Sequence, residues 1–219
     1  MERNEIIEKL RLQFITQKTA LPEILAEVGL FLEGGGQWVQ LRMKDTPAET
    51  IVETGKLILS LCREYGAIFI VNDHPEIALQ IGADGVHIGK KDLSPSEART
   101  ILGPGKIIGC TANTFEDIEQ LNGYPIDYIG LGPYRFTTTK KNLSPVLGAE
   151  GYRQIFSQMA EHGIRIPVTV IGGITLADVE ELNAAGARCY AVSGAIGNAD
   201  DPKEMTEEFL NKIVSETAI

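Results

Sequence analysis

The stretch Trp38-Val39-Gln40-Leu41-Arg42-Met43-Lys44 combines a β-strand pattern with a cluster of polar and basic side chains. Successive side chains of a strand point to opposite faces, so Gln40, Arg42 and Lys44 are expected to lie on one face. An amide, a guanidinium and an ammonium group placed together suit a polyanion. The stretch therefore predicts a strand whose final residues contribute to an anion-binding site.

Seven further short apolar runs occur along the chain, and amphipathic segments separate them. The eight predicted strands cover residues 12–16, 38–43, 68–71, 85–88, 106–110, 128–131, 168–171 and 189–192. Helical periodicity covers approximately residues 21–33, 47–65, 75–81, 94–102, 115–121, 148–163, 175–185 and 202–216. This alternation predicts right-handed βαβ units and a parallel sheet.

Eight βα repeats in one chain of 219 residues favour an α/β fold that is a single (β/α)₈ TIM barrel over residues 1–219. A doubly wound open sheet is the alternative. That fold normally has a glycine-rich loop after its first strand, whereas Thr16-Gln17-Lys18-Thr19 contains no glycine. The long polar segment at about 132–147 is interpreted as a substrate-covering loop, with a disordered insertion as the alternative.

Composition excludes several functional classes. The net charge of −10 argues against non-specific nucleic-acid binding. Three well-separated cysteines without a CxxC spacing indicate reduced core thiols in a cytoplasmic protein. The N-terminus lacks the apolar segment of a signal peptide, and no run of about 18 apolar residues predicts a membrane span.

Two carboxylates follow neighbouring predicted strands. Asn72-Asp73 ends the third strand and Asp92 lies in the loop after the fourth. In a (β/α)₈ barrel the carboxyl ends of the strands form one mouth, so both aspartates are expected there. Oxygen ligands of this kind suit Mg²⁺, which is the predicted cofactor. The alternative is that Asp73 and Asp92 cap the helices that begin near Pro75 and Ser94.

Other strand ends carry groups suited to phosphate. Gly172-Gly173 and Ser193-Gly194 follow the last two strands, where many barrels bind phosphate through backbone N–H groups. Thr111 ends the fifth strand and can hydrogen-bond a polar ring or a phosphate. Tight turns without a ligand are the alternative for the glycines.

Lys44 and Lys140 are expected on opposite sides of the mouth, where an ammonium group stabilises a departing pyrophosphate. A solvated surface role is the alternative for both, and it is the preferred interpretation for Lys90. His87 lies within the fourth strand and is expected to be a hydrogen-bonded core residue rather than a catalyst.

Taken together, these motifs resemble bacterial thiamine phosphate synthases over almost the full chain. The matching segments are Gln40–Lys44, Val71-Asn72-Asp73, 85–92, Gly109-Cys110-Thr111, 130–133, 137–140, 171–174 and 193–196. The resemblance implies joining of hydroxymethylpyrimidine diphosphate to a thiazole phosphate with release of pyrophosphate.

The resemblance also implies a role for each matching residue. The pyrimidine diphosphate would contact Gln40, Leu41, Arg42, Met43, Lys44, Asn72, Thr111 and Lys140, of which Arg42, Lys44 and Lys140 would be catalytic. The thiazole phosphate would contact Thr137, Thr138, Thr139, Gly173, Ser193 and Gly194. Mg²⁺ would be held by Asp73 and Asp92.

The chain departs from the family pattern in three places. Gly89-Lys90-Lys91-Asp92 replaces a Gly-Gln-acidic-Asp segment, Thr111 replaces a serine, and Arg135-Phe136 replaces an aromatic-proline pair. Two other functions stay open, a thiazole tautomerase that uses His87 as acid and base, and a non-catalytic barrel that binds a phosphate ligand. The implied partners are small-molecule substrates, with no nucleic acid and no membrane, and a homo-oligomer is compatible with the sequence.

Overall fold

Strands and helices alternate through the computed structural model, which describes residues 11–136 and 145–215. The strands are β1 (Leu12–Ile15), β2 (Trp38–Leu41), β3 (Ile68–Asn72), β4 (Gly85–Ile88), β5 (Ile107–Ala112), β6 (Tyr128–Leu131), β7 (Val168–Ile171) and β8 (Cys189–Val192). The helices are α1 (Leu21–Glu33), α2 (Ala48–Glu64), α3 (Pro75–Ile81), α4 (Pro95–Leu102), α5 (Phe115–Leu121), α6 (Gly148–Glu161), α7 (Val179–Ala184), α8 (Gly194–Gly197) and α9 (Pro202–Ser215).

The eight strands form a closed parallel barrel in chain order. Closure is direct, because β1 pairs with β2 on one side and with β8 on the other, where Gln13 lies opposite Ala191. The prediction of a (β/α)₈ barrel is therefore confirmed, and the open doubly wound sheet is wrong. Closure brings the carboxyl ends of all eight strands to one rim, which is the part of the fold that positions the site.

Several predicted boundaries differ from the structure. Strand β2 ends at Leu41, two residues early, while β5 continues to Ala112. The helical pattern over 175–185 divides into a 3₁₀ turn, Leu176–Asp178, and the short helix α7. Helix α8 was not predicted, since four residues are too few to show a helical period.

Two apolar layers stabilise the barrel. The larger one lies between the strands and the surrounding helices, where fully buried side chains such as Phe69, Ile118 and Leu182 meet. Burying one such side chain stabilises a protein by about 1.5–3 kcal/mol. The smaller layer lies inside the barrel and consists of Trp38, Ile68, Ile70, Ile107 and Tyr128. Above it, toward the mouth, the barrel interior becomes polar.

The cysteines are unpaired thiols, as predicted. Cys62 and Cys110 are buried, and burial raises the pKa of each thiol to about 12. Both therefore stay protonated at neutral pH and belong to the packing of the core. No helix in the described part of the chain has both the length and the apolar character needed to cross a membrane.

Candidate active site

A pocket of about 580 Å³ opens at the carboxyl ends of β1, β2, β7 and β8. Its walls carry hydroxyl, amide, cationic and apolar groups together with glycine backbone. The lining residues are Ile15, Thr16, Gln17, Lys18, Thr19, Arg42, Met43, Lys44, Thr46, Ile171, Gly172, Gly173, Ile174, Thr175, Ala191, Val192, Ser193, Gly194, Ala195 and Asn198. A pocket of this size is typical of a site for small molecules.

The segment after β2 supplies the cationic wall of this pocket. Arg42, Met43 and Lys44 line it, and the Arg42 backbone N–H donates a 3.0 Å hydrogen bond to Thr16 Oγ1 of the neighbouring strand end. The side chains of Gln40 and Leu41 do not line it. Gln40 is buried inside the barrel, and Leu41 packs in the core between barrel and helices.

Asp73 and Asp92 meet at the ends of β3 and β4. Their carboxyl groups are in hydrogen-bonding contact, and burial together with this contact raises the pKa of Asp73 to about 6. Lys44 and His74 act in the opposite direction and favour the ionised form. Two carboxylates held this close repel each other unless a proton or a cation lies between them.

The alternative role of helix capping does not fit either aspartate. Helix α3 has His74 at its N-cap without a side-chain hydrogen bond, so Asp73 does not cap it. Helix α4 is capped by Ser94, whose hydroxyl and backbone pair reciprocally with Glu97. Asp92 instead accepts a 2.7 Å hydrogen bond from the Gly89 backbone N–H, which fixes its loop and its carboxylate.

Lys44 connects the carboxylates with the pocket. Its Nζ lies 3.9 Å from Asp73 Oδ2, and the same side chain lines the pocket. Arg42 lies near the same carboxylate: burial lowers the pKa of its guanidinium, and Asp73 opposes that shift. An arginine remains charged at neutral pH, so two cations flank the acidic pair.

The acidic pair fits Mg²⁺. No group of three or more histidine, cysteine, aspartate or glutamate side chains suited to a metal occurs in residues 11–136 and 145–215. Mg²⁺ commonly uses one or two protein carboxylates and completes its octahedron with water and substrate phosphate. Asp73 and Asp92 therefore provide an appropriate oxygen donor set, and a cation between them would favour the ionised form of Asp73, whose pKa is raised by burial and by contact with Asp92.

The opposite wall of the pocket is built from backbone and small side chains. Gly172 has φ of 108° and Gly173 has φ of 74°, conformations that other residues rarely adopt. A Cβ on Gly172 would lie 2.6 Å from Pro133 Cα, so the space there requires glycine. Ser193 follows β8 as the N-cap residue of helix α8, which begins at Gly194. This wall offers backbone N–H groups and one hydroxyl to a phosphate.

The loop after β1 was missed as part of the site, although the barrel rule applies to all eight strand ends. Gln17 and Lys18 line the pocket, and both donate side-chain hydrogen bonds to Asn198 Oδ1, at 2.8 Å and 3.3 Å. Buried Glu27 holds this loop, since its Oε1 accepts from the backbone N–H groups of Gln17 and Lys18. Asn198 follows α8, whose existence the sequence pattern did not indicate.

Two further basic residues near the mouth are paired with acids. Lys90 Nζ lies 2.6 Å from Asp117 Oδ1, so Lys90 forms an ion pair with a residue of helix α5. Arg135 pairs with Asp178 in the turn after β7, and its guanidinium lies 4.9 Å from the centre of the Tyr134 ring. The structure thus ties the start of the 132–147 segment to the β7 loop.

Thr111 and His87 meet inside the barrel near its mouth. His87 is buried, its Nε2 lies 3.0 Å from Thr111 Oγ1, and its Nδ1 lies 3.0 Å from the Tyr128 hydroxyl. The expectation of a hydrogen-bonded core histidine is confirmed. Asn72 is half-buried as the last residue of β3. Thr137, Thr138, Thr139 and Lys140 lie outside the described residues.

Comparison with known proteins identifies the family of the chain. The family model described as thiamine monophosphate synthase matches residues 12–196. The chain belongs to this family.

Two curated relatives of the thiamine monophosphate synthase family are close to the chain over nearly its full length. Thiamine-phosphate synthase of Phocaeicola vulgatus is 49% identical over 202 residues, which covers 92% of this chain and 97% of the relative. The Bacteroides fragilis protein of the same name is 50% identical over 202 residues, covering 92% and 99%.

A solved structure agrees with these relatives. Thiamine phosphate pyrophosphorylase from Pyrococcus furiosus superimposes with a TM-score of 0.83 at 33% identity, covering 96% of this chain and 98% of that one. Fold and family therefore agree, and the resemblance expected from the sequence motifs is confirmed.

Proposed function

We propose that the protein is a thiamine-phosphate synthase, a transferase that joins hydroxymethylpyrimidine diphosphate to a thiazole phosphate and releases pyrophosphate. The curated relatives at about half identity carry this name. The observation that carries the proposal is the position of Lys44, which lines the pocket and lies 3.9 Å from Asp73 Oδ2. It joins an acidic pair that fits a metal ion to a pocket large enough for a small-molecule substrate.

The charged side of the mouth suits the diphosphate. We assign Asp73 and Asp92 to Mg²⁺, and Arg42 and Lys44 to the phosphate oxygens, with Lys140 as a third cation. Mg²⁺ supplies positive charge that improves diphosphate as a leaving group. Arg42 is partly buried, so its interaction with an anion is stronger than that of a fully hydrated charge.

The uncharged side suits the thiazole phosphate. Gly173, Ser193 and Gly194 lie together on the wall of the pocket, and Thr137, Thr138 and Thr139 are assigned to the same phosphate by their place in the sequence. Thr111 faces the barrel interior near the mouth and is assigned to the pyrimidine. The two substrates would then meet between β2 and β8.

The chemistry requires positioning and charge stabilisation rather than a protein nucleophile. An aminopyrimidine delocalises the positive charge that remains on its methylene carbon when diphosphate leaves. The thiazole nitrogen then captures that carbon. Arg42 and Lys44 stabilise the departing charge, while the pocket holds the thiazole in line and limits access of water.

Of the two other functions, the tautomerase is less compatible with the geometry. Its acid and base would be His87, which is 8% exposed and has both ring nitrogens within 3.0 Å of protein hydroxyl groups. A substrate proton would have to reach an occupied nitrogen.

The three unpaired cysteines are consistent with a reducing compartment, and we assign the enzyme to the cytoplasm.

The test is incubation of the protein with both substrates and Mg²⁺, with mass detection of thiamine phosphate and a separate assay of pyrophosphate. We expect both products in equal amounts, and neither when one substrate is omitted. Isomerisation of the thiazole without pyrimidine diphosphate would support the tautomerase. Binding of both substrates without turnover would support the non-catalytic barrel.

A further inference from the structure

A continuous chain of polar side chains crosses the barrel interior beneath the mouth. Gln40 Nε2 donates to Gln13 Oε1 at 3.1 Å, and Gln13 Nε2 donates to the Tyr128 hydroxyl at 3.4 Å. The Tyr128 hydroxyl lies 3.0 Å from His87 Nδ1, and His87 Nε2 lies 3.0 Å from Thr111 Oγ1. The chain joins β2, β1, β6, β4 and β5.

The barrel makes room for this chain by omitting two side chains. A Cβ on Gly109 would lie 2.0 Å from Tyr128 Cζ, and a Cβ on Gly130 would lie 2.9 Å from His87 Cε1. Both glycines belong to central positions of β5 and β6, where a glycine weakens a strand. The space they leave is filled by the two rings, so the polar chain is a built feature of the interior.

The donors of this chain run in one direction. Gln13 uses its carbonyl oxygen for Gln40, which leaves its amide N–H for the Tyr128 oxygen. The Tyr128 hydroxyl then has its proton available for His87 Nδ1. Burial raises the pKa of Tyr128, so this hydroxyl keeps its proton at neutral pH. An acceptor at Nδ1 places the imidazole proton on Nε2.

Resting on the proposed function, we propose that His87 and Tyr128 are positioning residues that make the Thr111 hydroxyl a hydrogen-bond donor toward the pyrimidine substrate. His87 donates from Nε2 to Thr111 Oγ1, which occupies an acceptor position of that oxygen. The proton of the hydroxyl is then directed to a partner other than His87. Thr111 is half-exposed at the end of β5, so a ring nitrogen or phosphate oxygen in the mouth is the partner.

The opposite orientation has a distinct consequence. If His87 carried its proton on Nδ1, its Nε2 would accept the Thr111 proton, and Thr111 would offer only lone pairs to the substrate. Lone pairs could accept from the amino group of the pyrimidine, but they do not bind phosphate oxygens or unprotonated ring nitrogens. The tautomer of His87 thus sets which substrate atoms Thr111 can bind, without direct contact between His87 and the substrate.

The tautomer is measurable without any substrate. The protein contains three histidines, so long-range proton–nitrogen correlation spectra of protein labelled with ¹⁵N-histidine contain few signals. The signals of His87 are identified by their loss in His87→Gln. At pH 8 with Mg²⁺ present we expect His87 to have a protonated Nε2 and an unprotonated Nδ1. A protonated Nδ1 with an unprotonated Nε2 would overturn the proposal.

The coupling to the reaction is tested by a double-substitution cycle. Tyr128→Phe removes the donor to Nδ1 and should slow single-turnover formation of thiamine phosphate roughly tenfold, the effect of about one hydrogen bond. In the Thr111→Val background the same change should have almost no further effect, because the hydroxyl it orients is gone. Equal slowing in both backgrounds would show a purely structural role and contradict the proposal.

Two substitutions of His87 give an independent check if Tyr128→Phe folds poorly. The amide nitrogen of glutamine reaches the place of Nε2, whereas that of asparagine reaches only the place of Nδ1. His87→Gln should therefore retain more activity than His87→Asn, and equal losses would contradict the proposal. Tyr190→Phe is the matched control for Tyr128→Phe. It also removes a buried hydroxyl, which is hydrogen-bonded to Asn183, but this hydroxyl does not belong to the series of hydrogen bonds that ends at Thr111.

These measurements separate two kinds of failure. If no thiamine phosphate forms with the unsubstituted protein, the proposed function is wrong. The ¹⁵N measurement still decides the orientation of the chain, because it needs no turnover.

Discussion

The two walls of the mouth present different chemical groups. The wall formed by β2, β3 and β4 presents the charged side chains of Arg42, Lys44, Asp73 and Asp92. The wall formed by β7 and β8 presents glycine backbone and the Ser193 hydroxyl. The groups of the first wall are side chains that can be exchanged singly, whereas the groups of the second depend on the path of the main chain.

This difference follows from the ligands we assign to each wall. A diphosphate carries several charges that must be stabilised as it leaves, so cationic side chains and metal-binding carboxylates would serve it. A monophosphate that is only held in place is bound adequately by backbone N–H groups. Loss of a side chain should therefore damage the first wall more, while an added Cβ should damage the second.

The largest effect is expected at the acidic pair. Asp73→Asn and Asp92→Asn should each lower kcat about 100-fold, equal to ~2.7 kcal/mol, since one metal ligand loses its charge. Steady-state kinetics at limiting Mg²⁺ measure this. Asp45→Asn is the control, because it changes an exposed carboxylate of the same rim. Unchanged kinetics at low Mg²⁺ for either variant would remove that residue from the metal site.

A Cβ in the second wall should have the next largest effect. In Gly172→Ala the methyl group meets Pro133 Cα at 2.6 Å, and φ of 108° is strained for alanine. We expect the apparent KM for the thiazole phosphate to rise roughly tenfold or more, with ~1–3 kcal/mol of lost stability.

Gly163→Ala separates strain from contact. Gly163 also has positive φ, 67°, but nothing lies within 4 Å of an added Cβ. It should lose about 1 kcal/mol of unfolding free energy and keep wild-type kinetics. Similar kinetic defects in both variants would show that general destabilisation, and not the shape of the wall, controls the KM.

Removal of a single hydroxyl from the second wall should have a smaller effect. Ser193→Ala is expected to raise the apparent KM for the thiazole phosphate about threefold to tenfold, the effect of one hydrogen bond. The KM for the pyrimidine diphosphate should not change. Ser157→Ala, on an exposed helix surface, is the control. An effect confined to the pyrimidine substrate would exchange the two walls in our assignment.

The smallest effect concerns Glu27 beneath the loop after β1. Burial raises the pKa of this glutamate from 4.5, and its Oε2 has no hydrogen-bond partner within residues 11–136 and 145–215. The folded state thus favours the protonated form, so this contribution to stability is present below pH 4.5 and is lost as pH rises through the raised pKa.

Glu27→Gln should flatten that part of the pH dependence. Urea unfolding measured from pH 4.5 upward should show a smaller loss of stability with rising pH in the variant than in the unsubstituted protein. Glu33→Gln, on the exposed face of α1, should keep the original slope. Parallel curves for Glu27→Gln and the unsubstituted protein would contradict the role of burial.

The sequence predicted the barrel well because each strand and helix has its own local period. It also predicted the positions of Arg42, Lys44, Asp73, Asp92, Gly173 and Ser193 at the mouth, since strand ends of a barrel converge by topology. It did not reveal which polar residues pair with each other. That Lys90 is held by Asp117 depends on distances across the barrel.

The other features that the sequence did not predict have similar physical causes. Lys18 and Asn198 lie 180 residues apart, and only closure of β1 on β8 brings them together. Leu41 lies within the matching segment, yet alternation of side chains places it in the core. The chain through Gln13, Tyr128 and His87 consists of residues whose inward direction follows from alternation, but whose contacts depend on the space left by two glycines.

The division of the mouth is tested most directly by calorimetric titration of each substrate alone, with Mg²⁺, against Asp92→Asn and Ser193→Ala. The account predicts a crossed pattern: Asp92→Asn weakens binding of the pyrimidine diphosphate roughly tenfold or more and leaves the thiazole phosphate unchanged. Ser193→Ala should weaken the thiazole phosphate alone. Loss of both ligands in both variants, or the reverse pattern, would contradict the division of the mouth into a charged and an uncharged wall.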